Sequence, residues 1–400
     1  VSVPSQTPAS LRANPPKLYA YKFLSEFFLI VPVLIPYYVF NRLSATQIFT
    51  VQAAYHVGVL LLEIPSGYLA DVVGRKRTLV LAGLFLPLGM ALYAFTGSFT
   101  TFVLAEFSIA VGNSLRSGSD SALMFDTLIL LHREGEYRKF EGRSFLFTRL
   151  GTAGASLAGG LLALIALRLP FYVNVATYVL ILPVVVGIVE PERTRRRAAN
   201  PLLDIFHIAG RCFQHPRLRR LMMMGGLVQS ASVIGVWAYF LYFKSLGINL
   251  AVVGALFAAF QLASALGSSQ AFRLSHRIGE KASFLLLLLI GGVFLALGAV
   301  SARPLVALVV PAAWLWGFGW PVFMDSFNRL TTSEIRATVL SVASMCASVS
   351  FVVLSPLFGR LVDVVGLSRA LLVLGLFYLL AGSAILAGLF RVRTPAELVG

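Results

Sequence analysis

The sequence predicts an all-α integral membrane protein: twelve transmembrane helices in two pseudo-symmetric six-helix bundles, with both termini cytoplasmic. Three observations predict it. Of 400 residues, 58% are hydrophobic and only 12% charged, against about 25% charged in a soluble domain. The apolar residues gather in twelve runs, each near the roughly 20 residues a helix needs to cross the hydrocarbon core. The cations fall on alternate connections between those runs.

The runs are 18–40, 46–70, 78–97, 100–131, 145–167, 170–189, 221–243, 250–272, 282–301, 304–328, 335–360 and 368–390. They are long and continuous rather than alternating, which excludes membrane strands. Of the 33 Lys and Arg, Arg42, Arg168, Lys244, Arg303, Arg360 and Arg369 fall on one side. Arg116 and Arg149 lie within helices, and the other 25 belong to the termini and the opposite connections. The positive-inside rule makes the richer side cytoplasmic. The organisation is then a tail (1–17), a first bundle (18–189), a basic cytoplasmic linker (190–220), a second bundle (221–392) and a tail (393–400). The linker holds eight Arg and an amphipathic stretch around Leu202–Phe213 suited to a membrane surface.

The net charge of +16 resides in short inter-helix segments, so it sets topology rather than binding nucleic acid. Cys212 and Cys346 form no framework or metal spacing and are expected as free thiols. The start of the sequence shows no signal-peptide pattern, because its first 17 residues are polar and Pro-rich and the first apolar run is too long. There is no nucleotide-binding G-x-x-x-x-G-K-[ST], so ATP is not the direct energy source. No nucleophile elbow or paired His cluster suggests an enzyme, and no cofactor is expected.

The second run ends in GYLADVVGRKR, residues 67–77. Gly67 lets a neighbouring helix approach closely. Asp71 closes the helix, and Gly74, Arg75 and Lys76 form the turn. With twelve helices divided 6+6 by a basic linker, this loop resembles the signature of the major facilitator superfamily, departing from it at Val72, where that family usually has a basic residue. HRIGEK (276–281) sits where a second-half echo belongs, with His276 in place of the aspartate. FDTL…EYRKFEGR (125–143) and FNRLTTSEIRATVLS (327–341) echo each other as related halves do. EIPSG (63–67) and SGSDSALMFDTL (117–128) resemble efflux-type members. The resemblance implies alternating access and a cytoplasmic latch. In it Asp71 docks on the N-terminus of the eleventh helix near Arg336, where the dipole favours a carboxylate by roughly 0.3–2 kcal/mol, and Arg75 bridges Asp71 to Asp126.

Ionisable residues inside spans are costly and are functional candidates. They are Glu26, Glu63, Glu106, Arg116, Asp120, Arg149 and Asp325, of which Glu63 and Glu106 look structural. Arg116 and Asp120, four apart, share a helical face, and Asp120 is the first candidate for proton coupling. A static pair with Arg116 and a role in gating are the alternatives. Glu26 is the second candidate and Asp325 the third, the latter able instead to pair with Arg329. His56 and Glu63 share a face with Gln52, but two ligands are too few for a metal site. A polar seam between the second and eleventh helices is the simpler reading.

Aromatic and amide residues are the candidates for a cavity wall: Tyr37, Tyr38, Gln52, Tyr55, His56, Gln229, Trp237, Tyr239, Gln261, Trp316 and Trp320. Gly317, Gly319 and Pro321 suggest a bendable tenth helix, and Pro32 and Pro36 a bendable first. The expected protein is a monomeric, multi-pass secondary transporter of the cytoplasmic (inner) membrane. It exports amphipathic or drug-like small molecules and is driven by the proton gradient. The alternative is an importer or facilitator of a metabolite, metal ion or lipid on the same fold.

Overall fold

A helix overlies each of the twelve predicted segments. The structure, a computed structural model, describes residues 8–191, 209–331 and 335–391. Most of the basic linker, including the start of its amphipathic stretch, lies outside the described residues, and so does the Asp71 side chain. Among the described residues every regular element is a helix. The first predicted segment begins earlier than the apolar run, at Asn14, whose side chain is buried. Its amide donates to Thr127 Oγ1 at 3.1 Å and to the Val189 carbonyl at 2.8 Å.

Nine helices among the described residues are long and apolar enough to cross a membrane. One run, Leu250–Ala299, has 50 residues, enough for two crossings at roughly 20 residues each. Within it Gly279 leaves helical geometry, with φ 82° and ψ 165°. Two predicted segments are not among the nine. These are 18–40 and 100–131, and in both the helix is interrupted.

The chain forms two compact units, residues 1–37 with 57–198, and 38–56 with 199–400. The helix Ala45–Val73 therefore begins in the second unit and ends in the first. In the first unit, Tyr37, Tyr93, Phe102 and Phe171 stack into a buried aromatic cluster, with Tyr37 and Phe171 centroids 4.2 Å apart. In the second unit, the helix Val309–Arg329 runs unbroken through Pro321. Gly317 there is a packing residue rather than a hinge, since a Cβ on it would lie 1.9 Å from the Ser264 carbonyl oxygen.

Candidate functional site

The interruption in the first segment has a local cause. The helix Asn14–Ser25 ends at Glu26. Ahead lie Pro32 and Pro36, which have no N–H to continue an α-helical ladder. Residues 27–30 are non-helical. In a membrane the backbone groups freed this way need protein partners. Asn174 supplies two of them. Its Oδ1 accepts from Leu29 N at 2.8 Å, and its Nδ2 donates to the Phe27 carbonyl at 3.2 Å. Tyr178 Oη donates to the Ser25 carbonyl at 3.3 Å. The helix Tyr137–Ile165 comes close at this level, because a Cβ on Gly159 would sit 1.9 Å from the Leu29 carbonyl oxygen.

The second interruption divides Phe99–Arg116 from Ser119–Leu130. Gly118 turns the chain there with φ 72°, a left-handed conformation that glycine adopts at little cost. The break changes the expected pairing. Arg116 and Asp120 would share a face only on a continuous helix, and each instead finds its partner on the first segment. Arg116 Nη2 lies 2.6 Å from Glu26 Oε1, and its Nη1 donates to Ser25 Oγ at 2.8 Å. Lys22 Nζ lies 2.6 Å from Asp120 Oδ2. Two cations and two carboxylates thus form a neutral, cross-linked quartet between two broken helices. Tyr21, with its hydroxyl unpartnered among the described residues, is fully buried beside them.

Helix dipoles sort the four charges. Lys22 and Arg116 occupy the last turns of their helices, and Asp120 the first turn of its own. Each of these favours the charge it carries. Glu26, at the C-terminal cap of Asn14–Ser25, stands against its helix dipole. It is also the more open carboxylate, with 30% of its side chain exposed against 7% for Asp120.

The signature loop belongs to the same unit. Arg75 Nη1 pairs with Asp126 Oδ2 and also donates to the Ala122 carbonyl. Glu190 caps the helix Arg75–Phe95 with both oxygens, Oε1 accepting from Arg75 N at 2.9 Å and Oε2 from Lys76 N at 2.6 Å. Gly74 makes the turn with φ 114°, and Gly67 is exposed, with nothing near its would-be Cβ. Arg336, in the second unit, opens the helix Arg336–Val365 and reaches the Thr331 carbonyl at 3.5 Å.

Several predicted site residues turn out to be packing residues. Tyr37 is fully buried and donates to the Tyr93 carbonyl at 2.9 Å, so it is core and not cavity wall. Glu106, expected to be structural, is buried and accepts from Tyr93 Oη at 2.6 Å. Gln52 is buried and donates to Tyr38 Oη at 3.1 Å, and Tyr239 is buried against Phe294. Gln229 accepts from Trp316 Nε1 at 3.1 Å. His56 lies 4.3 Å, ring to ring, from Phe351 and 5.4 Å from Tyr55. Among the described residues, no three His, Cys, Asp or Glu gather as metal ligands. Trp237 and Gln261 are half-buried, and Trp320 is exposed.

Asp325 pairs with Arg329 at 2.8 Å, and both are more than half exposed. They line a cavity of about 410 Å³ with His276, Glu280 and Ser326. Glu280 is held by Arg217 at 2.8 Å and by Ser326 Oγ at 3.2 Å.

Sequence reasoning missed Lys22, Asn174 and Glu190. Lys22 stands four residues before Glu26, a spacing that carries a signal, but it counts among the topology-setting cations. Asn174 and Glu190 act through fold-level contacts that no local spacing announces.

The chain matches the family model of the Major Facilitator Superfamily over residues 221–400. It is 27% identical over 294 residues to the enterobactin exporter EntS of Shigella dysenteriae serotype 1, covering 71% of this chain and 66% of that protein. The chain thus spans just under two thirds of that relative's length. It is 27% identical over 299 residues to the enterobactin exporter EntS of Citrobacter koseri, covering 71% of this chain and 67% of that one. Among solved structures, the nucleoside transporter NupG superposes with a TM-score of 0.79 at 14% identity, over 95% of this chain and 100% of that one. A D-xylose–proton symporter does so with a TM-score of 0.72 at 14% identity, over 98% and 99%. These low identities speak to the fold alone. The second half of the chain thus matches the Major Facilitator Superfamily model, and the whole chain shares its fold with solved membrane transporters.

Proposed function

We propose that the protein is a proton-driven exporter of amphipathic small molecules that works by alternating access in the inner membrane as a monomer. Siderophores of the enterobactin kind are the first substrates to try, since the curated relatives are named for that export. The observation that carries the reading is the quartet Lys22, Glu26, Arg116 and Asp120 on two interrupted helices. Ionisable groups inside spans are retained where they carry ions, protons or substrate.

Glu26 is the proposed proton acceptor. It is the more open carboxylate and the one whose charge its own helix opposes. A proton on Glu26 removes the partner of Arg116 and leaves a net positive charge in the quartet. Removing one partner from a fully buried pair costs about 3–5 kcal/mol; this partly open pair costs less, and about 1.4 kcal/mol already shifts a two-state equilibrium tenfold. The relief is movement at Glu26–Ile30 and at Ser117–Gly118, where the helices are already broken. The structure contributes the pairing and the breaks, and the Lys/Arg asymmetry puts the quartet toward the cytoplasmic side.

The test uses cells lacking their own enterobactin exporter and main multidrug pumps. Expression should restore enterobactin release, or lower the accumulation of fluorescent amphiphiles. A protonophore should abolish the effect, and so should Glu26→Gln at equal expression. Export that persists with protonophore and with Glu26→Gln contradicts the reading.

A further inference from the structure

The signature stretch occurs twice. Gly359-Arg-Leu-Val-Asp363-Val-Val-Gly366-Leu-Ser-Arg369 matches Gly67-Tyr-Leu-Ala-Asp71-Val-Val-Gly74-Arg-Lys-Arg77 at seven of eleven positions. This is a closer copy than HRIGEK at 276–281. The backbone repeats as well. Gly74 has φ 114° and ψ 147°, and Gly366 has φ 84° and ψ 161°. Each glycine joins a long helix, with the aspartate in its last turn, to the helix that follows.

The second aspartate is engaged. Asp363 Oδ1 accepts from Ala45 N at 2.8 Å, and Oδ2 accepts from Thr46 N at 2.8 Å and from Thr46 Oγ1 at 2.5 Å. Both amides belong to the first turn of the helix Ala45–Val73, where N–H groups have no intrahelical acceptor and the dipole favours an anion. Ser44 and Gln47 already form a local reciprocal cap, Gln47 N to Ser44 Oγ at 3.2 Å and Ser44 N to Gln47 Oε1 at 3.0 Å. Asp363 therefore takes the two donors that the local sequence leaves over.

The contact continues as a seam. A Cβ on Gly359 would lie 2.6 Å from the Ala45 carbonyl oxygen. Ser355 Oγ donates to the Phe49 carbonyl at 3.2 Å, and Phe49 meets Phe358 edge-on at 5.1 Å. This seam holds a first-half helix to a second-half helix. The start of Ala45–Val73 clusters with the second half of the chain, and its remainder with the first. A helix divided in this way must change partners when the halves rearrange.

We infer that Asp363 is a second latch, at the membrane face opposite Asp71. It clamps the first turn of Ala45–Val73 in the state seen here and releases it when that face opens. The inference rests on alternating access but on neither proton coupling nor substrate. Asp363 is itself exposed, so the latch sits where water can replace it once the helices part.

The test is a distance measurement by pulsed electron resonance on the full chain in lipid nanodiscs. Spin labels go on Phe40→Cys and Arg369→Cys, both exposed, with Cys212 and Cys346 replaced by serine. The parent should give mainly a short distance. Asp363→Ala should raise a longer-distance population several-fold. Asp363→Asn, which keeps one acceptor oxygen but loses the other and the charge, should raise it less, and it carries the test should the alanine variant not fold. Distributions identical to the parent's in the folded variants overturn the latch. The readout needs no substrate and no gradient, so its failure would leave the export reading standing, and a failure of that reading would leave the latch standing.

Discussion

The Lys22 ammonium meets the Asp120 carboxylate at 2.6 Å, across two helices that are each interrupted within a few residues of the contact. Lys22→Met leaves Asp120 buried without its partner, and Asp120→Asn does the reverse. Each single change should lower stability by up to about 3–5 kcal/mol. The double variant Lys22→Met/Asp120→Asn should recover much of the loss, because no unpaired charge remains. A double-mutant cycle of unfolding in detergent reads the coupling. Additive losses would show that the two charges do not depend on each other.

Gly159 is the point where the Tyr137–Ile165 helix touches the broken first segment. Gly159→Ala puts a Cβ 1.9 Å from the Leu29 carbonyl oxygen and should destabilise by about 1–3 kcal/mol through overpacking. Gly154 is on the same helix, and its nearest neighbour to a Cβ is Phe27 Cε2 at 3.7 Å. Gly154→Ala should be close to neutral in the same thermal melt, so the two glycines separate packing from propensity.

Asn174 repairs the backbone of the first break. Asn174→Leu strands Leu29 N–H and the Phe27 carbonyl. Each buried group left unsatisfied costs about 1–3 kcal/mol. The loss should appear in a melt. It should also appear as faster hydrogen exchange at residues 27–30, with little change on the Arg75–Phe95 helix.

Glu190 is a distant N-cap for the signature loop. Glu190→Ala removes both acceptors from the amides of Arg75 and Lys76 and should cost about 0.5–2 kcal/mol, the range for losing a cap. Glu190→Gln keeps one acceptor oxygen and should cost less. Proteolysis at Gly74–Arg77 in membranes should accelerate in that order.

Much of the helical fold was legible in the sequence, because the length of an apolar run is a local property. The signature loop was legible for the same reason: Gly67, Asp71, Gly74 and Arg75 are set by spacing. The quartet was half legible. Glu26, Arg116 and Asp120 stand out as charges within apolar runs. Their pairing does not, because an i, i+4 rule assumes an unbroken helix and Gly118 breaks this one. Tyr37 misled for a different reason. An aromatic hydroxyl in a span looks the same whether it faces a cavity or, as here, donates to a backbone carbonyl in the core. Asp363 lies in a near-repeat of the signature, yet its partner is some three hundred residues away in sequence, and only the fold brings Ala45 to it.

We propose that Glu26, not Asp120, takes the proton that separates the quartet. The most direct measurement is a pH titration of the purified protein by difference infrared spectroscopy, following the carbonyl band of a protonated carboxylic acid. The account predicts a titrating band in the parent protein that survives Asp120→Asn and disappears in Glu26→Gln. A band that disappears in Asp120→Asn and survives Glu26→Gln would contradict it and return the coupling role to Asp120.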